Sequence, residues 1–166
     1  MTREVVQVIV GRVMNEDPVM VAPDTSIGEL RRVLLNSGNT VILVIEEDQV
    51  VGVIGDRDLL KPDDEYLTAK DIMNRKVVEV SADCNISEAC SLLVDADSSG
   101  LPVVSDEGLL IGVVSARDIV SGMVGDEAVA RISVEAASIY LAMTRSREYE
   151  RYWLDKIRSY GYRGAI

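Results

Sequence analysis

The amino-acid sequence predicts an α/β (α+β) protein that consists of two copies of one β-α-β-β-α unit, followed by a helical extension. Two observations lead to this prediction: the chain aligns with itself at a nearly constant offset, and the two aligned parts carry the same order of apolar runs and turns. A chain of 166 residues with 48% hydrophobic residues can bury a sizeable core without a disulfide or a structural metal.

The repeat is seen when residues 12–34 are aligned with residues 71–93, which lie 59 positions later. After one inserted residue, GVIGDRDLL at 52–60 aligns with GVVSARDIV at 112–120. A shared order of this length is typical of a duplicated structural unit. Identical pairs in the first alignment include Met14 and Met73, Val21 and Val80, Asp24 and Asp83, Ile27 and Ile86, Glu29 and Glu88, and Leu34 and Leu93.

Each unit opens with a short apolar strand, at residues 19–21 and at residues 77–80. A polar turn and a helix follow, and each helix start has the spacing of a capping box. In a capping box the first side chain accepts a hydrogen bond from a free helix N–H, and the glutamate bonds back to the N-cap backbone. The predicted boxes are Ser26 with Glu29 and Asn85 with Glu88.

Two further strands and a helix complete each unit. In the first unit the apolar runs at 41–45 and 50–54 predict strands joined by an acidic turn, and a helix begins near residue 56. The second unit repeats this order at 101–104, 109–114 and 116.

Beyond Gly125 the composition changes, because six of the seven aromatic residues lie there. Apolar residues from Val129 to Met143 follow a heptad-like spacing, so we expect a helical tail that self-associates.

Composition excludes several classes of function. The chain has no histidine, which excludes His-based acid–base catalysis, Ser-His-Asp triads and most zinc sites. Its 17 basic and 28 acidic residues give a net charge of −11, so we expect no duplex nucleic acid as a partner. No signal peptide and no apolar stretch of membrane-spanning length is present, so we expect a cytoplasmic protein with no membrane partner. Cys84 and Cys90 do not form a C-x-x-C motif, no metal is expected, and Cys90 is predicted to be buried on its helix.

With these residues in view, the tandem unit resembles a pair of CBS domains, named for cystathionine β-synthase and often called a Bateman module. The resemblance covers about residues 8–122. It depends on the methionine that opens each unit, the D-T-S and D-C-N helix starts, Leu-Pro-Val-Val at 101–104 and the G-V-V-S-A-R-D segment at 112–118. The corresponding domain organisation is repeat one at 8–65, repeat two at 66–124 and a helical tail at 125–166.

The resemblance implies that the two repeats pack sheet against sheet about a pseudo-twofold axis and leave two clefts. Such clefts commonly bind adenosine-containing ligands, so AMP, ADP, ATP or S-adenosylmethionine is the expected ligand. The resemblance also implies a homodimer, and a client protein whose activity the module regulates. The function expected on this basis is non-catalytic. The alternative is an adaptor or structural protein with degenerate clefts, whose helical tail mediates dimerisation or recruits a partner.

The candidate site in repeat two is predicted from the chemistry of a nucleotide. A carboxylate such as Asp118 accepts hydrogen bonds from both ribose hydroxyls, while Ser115 and Arg117 suit a phosphate at a helix start. The simpler interpretation, in which Ser115 or Asp118 caps the helix, is compatible with this one. By resemblance, the lining of this site also includes Val19, Ser99 and Gly100.

Repeat one departs from this pattern, because Gly55 stands where repeat two has Ser115. Asp58 and Arg57 are retained, so the expected site there is weaker or differently selective. By resemblance, its lining includes Val78, Asn39 and Thr40. Lys76, in the loop before residue 77, supplies a cation that an anionic ligand would need near a protein of this net charge.

Overall fold

The computed structural model describes residues 8–60, 64 and 66–122 of the chain. The predicted tail at 125–166, and with it the expected self-association of that tail, lies outside the described residues. In chain order the elements are β1 (Val19–Val21), α1 (Ile27–Ser37), β2 (Val41–Glu46), β3 (Gln49–Gly55), α2 (Ala69–Ile72), β4 (Val80–Ser81), α3 (Ile86–Asp95), β5 (Gly100–Val104) and β6 (Leu110–Ser115). Residues 116–122 are also helical and are called α4.

The strands form two three-stranded sheets with the same topology. In each sheet the first strand pairs in parallel with the second, and the second pairs antiparallel with the third, giving the orders β1-β2-β3 and β4-β5-β6. In both sheets a helix, α1 or α3, connects the two parallel strands, as a parallel pairing requires. The predicted α+β fold with two equivalent units is confirmed.

Two elements differ from the sequence prediction. The first strand of repeat two is only Val80–Ser81, since only these two residues pair with β5, and the N–H of Val77 donates to the Arg75 carbonyl at 3.0 Å. The helix predicted to end repeat one is a 3₁₀ helix over Asp56–Leu60. Pro62 follows in the sequence, and a proline has no N–H to continue helical hydrogen bonding.

The helix starts are capped, but not by the reciprocal pairs that the spacing predicted. The Ser26 hydroxyl accepts from the Glu29 N–H at 3.3 Å, which is half of the predicted box. Asn85 Oδ1 accepts instead from the N–H of Ser87 at 2.8 Å, one residue earlier than predicted. An asparagine side chain reaches this nearer N–H readily, which is the second common N-cap geometry.

Each repeat has its own hydrophobic core, and a third cluster joins the two. In repeat one α1 packs on the sheet through Ile27, Leu30 and Leu34, and in repeat two α3 does so through Ile86, Ala89 and Leu93. The cluster between the sheets consists of four buried residues, Val41, Leu43, Val53 and Val113. Because the strands carry apolar residues on both faces, the sheets are covered by helices on one side and by each other on the opposite side.

The segments that lead into the two repeats exchange places. The N–H of Val10, at the start of repeat one, donates to the carbonyl of Cys84 in repeat two at 2.8 Å. The N–H of Ala69, at the start of repeat two, donates to the carbonyl of Thr25 in repeat one at 2.9 Å. Val10 and Ala69 are both completely buried. Each repeat therefore completes its core with a segment that precedes the other repeat.

Reciprocal contacts show that the repeats are related by an approximate twofold axis. Asn15 pairs with Val113 through two backbone hydrogen bonds of 2.9 and 3.0 Å. Asn74 pairs with Val53 through bonds of 2.9 and 3.0 Å. Asn15 aligns with Asn74 and Val53 aligns with Val113, so the same contact occurs twice with the repeats interchanged. This interchange is what a twofold relation produces.

Candidate functional site

A cavity of about 300 Å³ lies between the two repeats, at the end of β6. Five of the ten lining residues belong to repeat one and five to repeat two. We call this cavity the Ser115 cleft; it is lined by Asn15, Gly38, Asn39, Thr40, Val41, Val113, Ser115, Arg117, Asp118 and Ser121. Most of these side chains are polar, and the two charged groups, a guanidinium and a carboxylate, both come from the first turn of α4.

Ser115 and Asp118 form the N-terminal cap of α4. Asp118 Oδ2 accepts hydrogen bonds from the Ser115 N–H at 2.8 Å and from the Ser115 hydroxyl at 2.7 Å. The Ser115 hydroxyl oxygen in turn accepts from the Asp118 N–H at 3.3 Å. Both groups are thus held rigidly at the cleft. Oδ1 of Asp118 receives no hydrogen bond from any described residue and remains able to accept one from a ligand.

Arg117 joins the cap of α4 to the other repeat. Its guanidinium donates to the carbonyl of Gly38 at 3.3 Å, at the C-terminal end of α1. No carboxylate among residues 8–60 and 66–122 lies within ion-pair distance of Arg117. The side chain is exposed, and it contributes a positive charge to the cleft that a bound anion can share.

Asn15 lines the Ser115 cleft, although the sequence analysis did not predict it there. Its Nδ2 donates to Asn39 Oδ1 at 2.7 Å, while its backbone is paired with Val113. The signal was present in the sequence, because an asparagine follows the opening methionine of both repeats, at Asn15 and Asn74. Gly38, Val41, Val113 and Ser121 were missed as well, since nothing local in their sequence distinguishes them.

The structure groups several predicted residues differently from the sequence analysis. Asn39 and Thr40 were expected beside Asp58, but they line the Ser115 cleft. Ser99, expected beside Ser115, lies instead against Gly55, where an added Cβ would overlap the Ser99 side chain. The twofold packing explains this exchange, because it brings the residues before the central strand of one repeat to the end of the last strand of the other.

The remaining lining predictions fall in the protein core. Val19 pairs with Ile42 on β1 and packs against the core of repeat one. Val78 packs against the core of repeat two. Gly100 is buried at the start of β5, where an added Cβ would approach the side chains of Val41 and Val113. Val19 and Gly100, which were expected beside Ser115, do not belong to the lining of the Ser115 cleft. Val78 was expected in the site of repeat one, and its ligand role stays a prediction.

The equivalent groups of repeat one meet at a second place, which we call the Gly55 cleft and define by Gly55, Arg57, Asp58, Asp97 and Ser99. Asp58 is buried, and its Oδ2 accepts from the Gly55 N–H at 2.9 Å, just as Asp118 accepts from the N–H of Ser115. The Arg57 guanidinium forms an ion pair with Asp97 Oδ1 at 3.0 Å. The two clefts therefore share the hydrogen bond from the strand-end N–H to the aspartate but differ in their charged contacts.

Lys76 and Asn74 bind the end of α3, next to the Gly55 cleft. Asn74 Nδ2 donates to the carbonyls of Ala96 and Asp97, both at 3.2 Å. The Lys76 ammonium donates to the carbonyl of Asp95 at 3.0 Å. A cation at the C-terminal end of a helix complements the free carbonyls there, so Lys76 has a structural partner in addition to the predicted ligand role.

The two cysteines show no sign of a reactive site. Cys90 is exposed on α3, so the expectation that it is buried was wrong: the helix buries Ala89 and Leu93 and turns Cys90 outward. Desolvation raises the pKa of both thiols, and the carboxylate of Glu88 raises the pKa of Cys84 further.

Within the described part of the chain, no three His, Cys, Asp or Glu residues are arranged to hold a metal ion. In that same part, no helix has the length and apolarity to cross a bilayer.

Two β-α-β-β-α repeats, related by an approximate twofold axis and with a polar cleft between them, define a tandem α+β domain pair. The CBS domain family matches the chain twice, over residues 10–63 and 69–125, and the chain belongs to this family. An uncharacterized protein of Methanopyrus kandleri is 36% identical over 120 residues, which are 68% of this chain. The chain covers 61% of the length of that relative.

Solved structures with the same fold include three with adenosine-containing ligands. CBSX2 in complex with AMP is 27% identical, with a TM-score of 0.57 over 69% of this chain and 95% of that one. The cytosolic domain of the Mg²⁺ channel MgtE in complex with ATP is 32% identical, with a TM-score of 0.56 over 69% and 48%. A CBS domain pair in complex with 5′-methylthioadenosine and S-adenosyl-L-methionine is 25% identical, with a TM-score of 0.62 over 71% and 100%.

Proposed function

We propose that this chain is a non-catalytic regulatory module that binds an adenosine-containing ligand in the Ser115 cleft. The observation that carries the proposal is the position of Asp118: its Oδ2 is fixed by Ser115, while Oδ1 faces no hydrogen-bond donor of the described residues. A carboxylate held in this way suits the two vicinal hydroxyls of a ribose. The AMP, ATP and S-adenosylmethionine complexes of the similar structures support the same ligand class.

The structure changes the role that the sequence suggested for Ser115. Its hydroxyl already donates to Asp118 at 2.7 Å, so it supports the carboxylate and leaves no proton for a phosphate. The groups that remain for a phosphate are the guanidinium of Arg117 and the hydroxyls of Thr40 and Ser121, which form no hydrogen bond with the described residues. One guanidinium and two hydroxyls make a site of modest positive charge.

This charge inventory favours a single phosphate. The cleft contains one positive and one negative side chain, and the protein as a whole carries a net charge of −11. A triphosphate would bring about four negative charges into a field that repels it, with one guanidinium to compensate them. Among the expected ligands we therefore place AMP first, followed by S-adenosylmethionine, and ADP and ATP after them.

The test is calorimetric titration of the full chain with AMP, ATP, S-adenosylmethionine and adenosine. Asp118→Ala should weaken AMP and adenosine alike, by about ten- to a hundredfold, because it removes a charged hydrogen-bond acceptor. Arg117→Ala should weaken AMP but leave adenosine nearly unchanged, since adenosine has no phosphate. Asp83→Asn is the matched control, because it removes one exposed negative charge from the turn before α3.

The outcomes separate the hypotheses. An Asp118→Ala protein that unfolds at the wild-type temperature and binds AMP with wild-type affinity would refute the site. If none of the four compounds binds to wild-type protein freed of co-purified nucleotide, the regulatory proposal fails. The adaptor function, in which the tail recruits a partner, would then replace it.

A further inference from the structure

The arginines of the Gly55 cleft and the Ser115 cleft face residues of different charge, and the internal repeat identifies the two positions. Residue 97 aligns with residue 38, and both stand just after the helix that precedes the central strand. Both have left-handed backbone conformations, with φ of 46° at Asp97 and 68° at Gly38. Repeat two thus carries a carboxylate at the position where repeat one carries no side chain.

This carboxylate changes the environment of the arginine that faces it. Arg117 donates to the backbone carbonyl of Gly38, whereas the equivalent Arg57 forms an ion pair with Asp97 at 3.0 Å. A phosphate entering the Gly55 cleft would meet a guanidinium that is already neutralised, and it would lie beside a second negative charge. The phosphate and the Asp97 carboxylate are both negative and would repel each other. The phosphate would also have to displace Asp97 to reach Arg57.

The space beside the strand end differs as well. In the Ser115 cleft the end of β6 carries the Ser115 side chain, and its hydroxyl orders Asp118. In the Gly55 cleft the side chain of Ser99 occupies the place where a Cβ of residue 55 would stand. The hydroxyl there comes from the opposite repeat.

We propose that Asp97 is a specificity-determining residue that makes the Gly55 cleft reject phosphate, so that AMP binds at one site per chain instead of two. The inference rests on the proposed function, since it concerns the second copy of the same kind of site. It does not apply to ligands without a phosphate, because their binding does not require the guanidinium.

The test exchanges the two residues between the clefts. Asp97→Gly should remove the competing carboxylate from Arg57 and raise the number of AMP molecules bound per chain from one to two in a calorimetric titration. Gly38→Asp should place a carboxylate beside Arg117 and weaken AMP at the Ser115 cleft, by about ten- to a hundredfold. Among the described residues, no atom beyond the two chain neighbours lies within 4 Å of a Cβ at position 38. Aspartate is also one of the few residues that accept a left-handed backbone, so this variant should fold.

Two controls separate the effect of Asp97 on the phosphate from its effects on net charge and on space in the cleft. Asp83→Asn lowers the net negative charge by one at the other end of α3, about 15 Å away along a ten-residue helix, and should leave one AMP per chain. Adenosine titrated into wild type and Asp97→Gly should give the same number of sites in both. A rise in adenosine sites on substitution would mean that Asp97 blocks the cleft sterically and would overturn the charge mechanism.

Each outcome supports or overturns the role of Asp97 or the proposed function. Two AMP molecules per wild-type chain, or one per folded Asp97→Gly chain, would overturn the role of Asp97 and leave the proposed function intact. No AMP on the wild type would refute the proposed function for AMP. In that case an Asp97→Gly chain that gains one AMP would still support the specificity role, and one that gains none would overturn it.

Discussion

Met73 lies against the backbone of Gly52 so closely that a Cβ on residue 52 would overlap its side chain. Met73 is buried in the core of repeat one, although it belongs to the segment that opens repeat two. In the equivalent pair, Met14 and Gly112, an added Cβ would lie 3.1 Å from the Met14 sulfur and 2.7 Å from the Asn15 carbonyl oxygen. The glycine that each repeat conserves internally thus makes room for the methionine that opens the other.

The first prediction is that Gly52→Ala destabilises the protein by about 1–3 kcal/mol, because the added methyl forces Met73 out of its packed position. The measurement is denaturant unfolding of the full chain. Gly28→Ala is the matched control: residue 28 lies in α1 with no atom within 4 Å of an added Cβ. Alanine there should stabilise by about 0.5–1 kcal/mol, as in other helices. Equal effects at the two positions would show that Met73 does not constrain residue 52.

The second prediction concerns the ion pair between Arg57 and Asp97. The Asp97 side chain is 85% exposed and that of Arg57 is 32% exposed, so solvent screens their attraction. Asp97→Asn should therefore change the free energy of unfolding by less than about 1 kcal/mol. Thermal unfolding at low and moderate salt measures this. A loss well beyond that amount would mean that the pair holds the repeats together, and that binding data for variants at this position reflect stability.

The third prediction is a pH dependence from the cap of α2. The N–H of Thr68 donates to Asp71 Oδ2 at 2.9 Å and its hydroxyl at 2.8 Å, and both bonds lower the pKa of Asp71. A carboxyl whose pKa is lowered by folding stabilises the native state above the pKa of the unfolded chain, about 4. That contribution is lost as the pH falls through the lower folded-state pKa. Asp71→Asn should therefore flatten the decrease in melting temperature between pH 5 and pH 3, each about one unit from that value. An unchanged slope would exclude Asp71 as a contributor.

The fourth prediction tests the cap of α3. Asn85→Ala should cost about 1 kcal/mol, because Asn85 Oδ1 accepts from the Ser87 N–H at 2.8 Å and this N–H has no helical partner. Ser87→Ala is the control, since it retains the backbone N–H and removes only an exposed hydroxyl. Urea unfolding distinguishes them. If Ser87→Ala costs as much as Asn85→Ala, the capping bond is not the source of the loss.

Local signals in the sequence were sufficient for most of the secondary structure. The alternation of apolar runs and turns gave β2, β3, β5 and β6 to within one residue at most ends, because buried strands must be apolar over their whole length. The capping patterns located the starts of α1 and α3, because an unpaired helix N–H needs an acceptor from a residue close in sequence. They failed on detail at Asn85, where two N–H groups compete for one side chain.

Long-range pairing was beyond the reach of these signals. The sequence showed that Asp58 and Asp118 are equivalent, but not which loop of the opposite repeat each one faces. Asn39 and Thr40 were assigned to the wrong cleft for this reason. The contact between Arg57 and Asp97 joins residues 40 positions apart in different repeats, and no local pattern encodes it.

The sequence by itself determined a duplicated α+β unit and the polar groups at the end of each last strand. These follow from burial and backbone hydrogen bonding, which act over a few neighbouring residues. Only the tertiary structure decided that the leading segments cross over, that Met73 closes the core of repeat one, and that Asp97 faces Arg57 where Gly38 faces Arg117. These features depend on how two nearly identical surfaces pack about a twofold axis, and the equivalence of the repeats alone does not determine which residues that packing brings together.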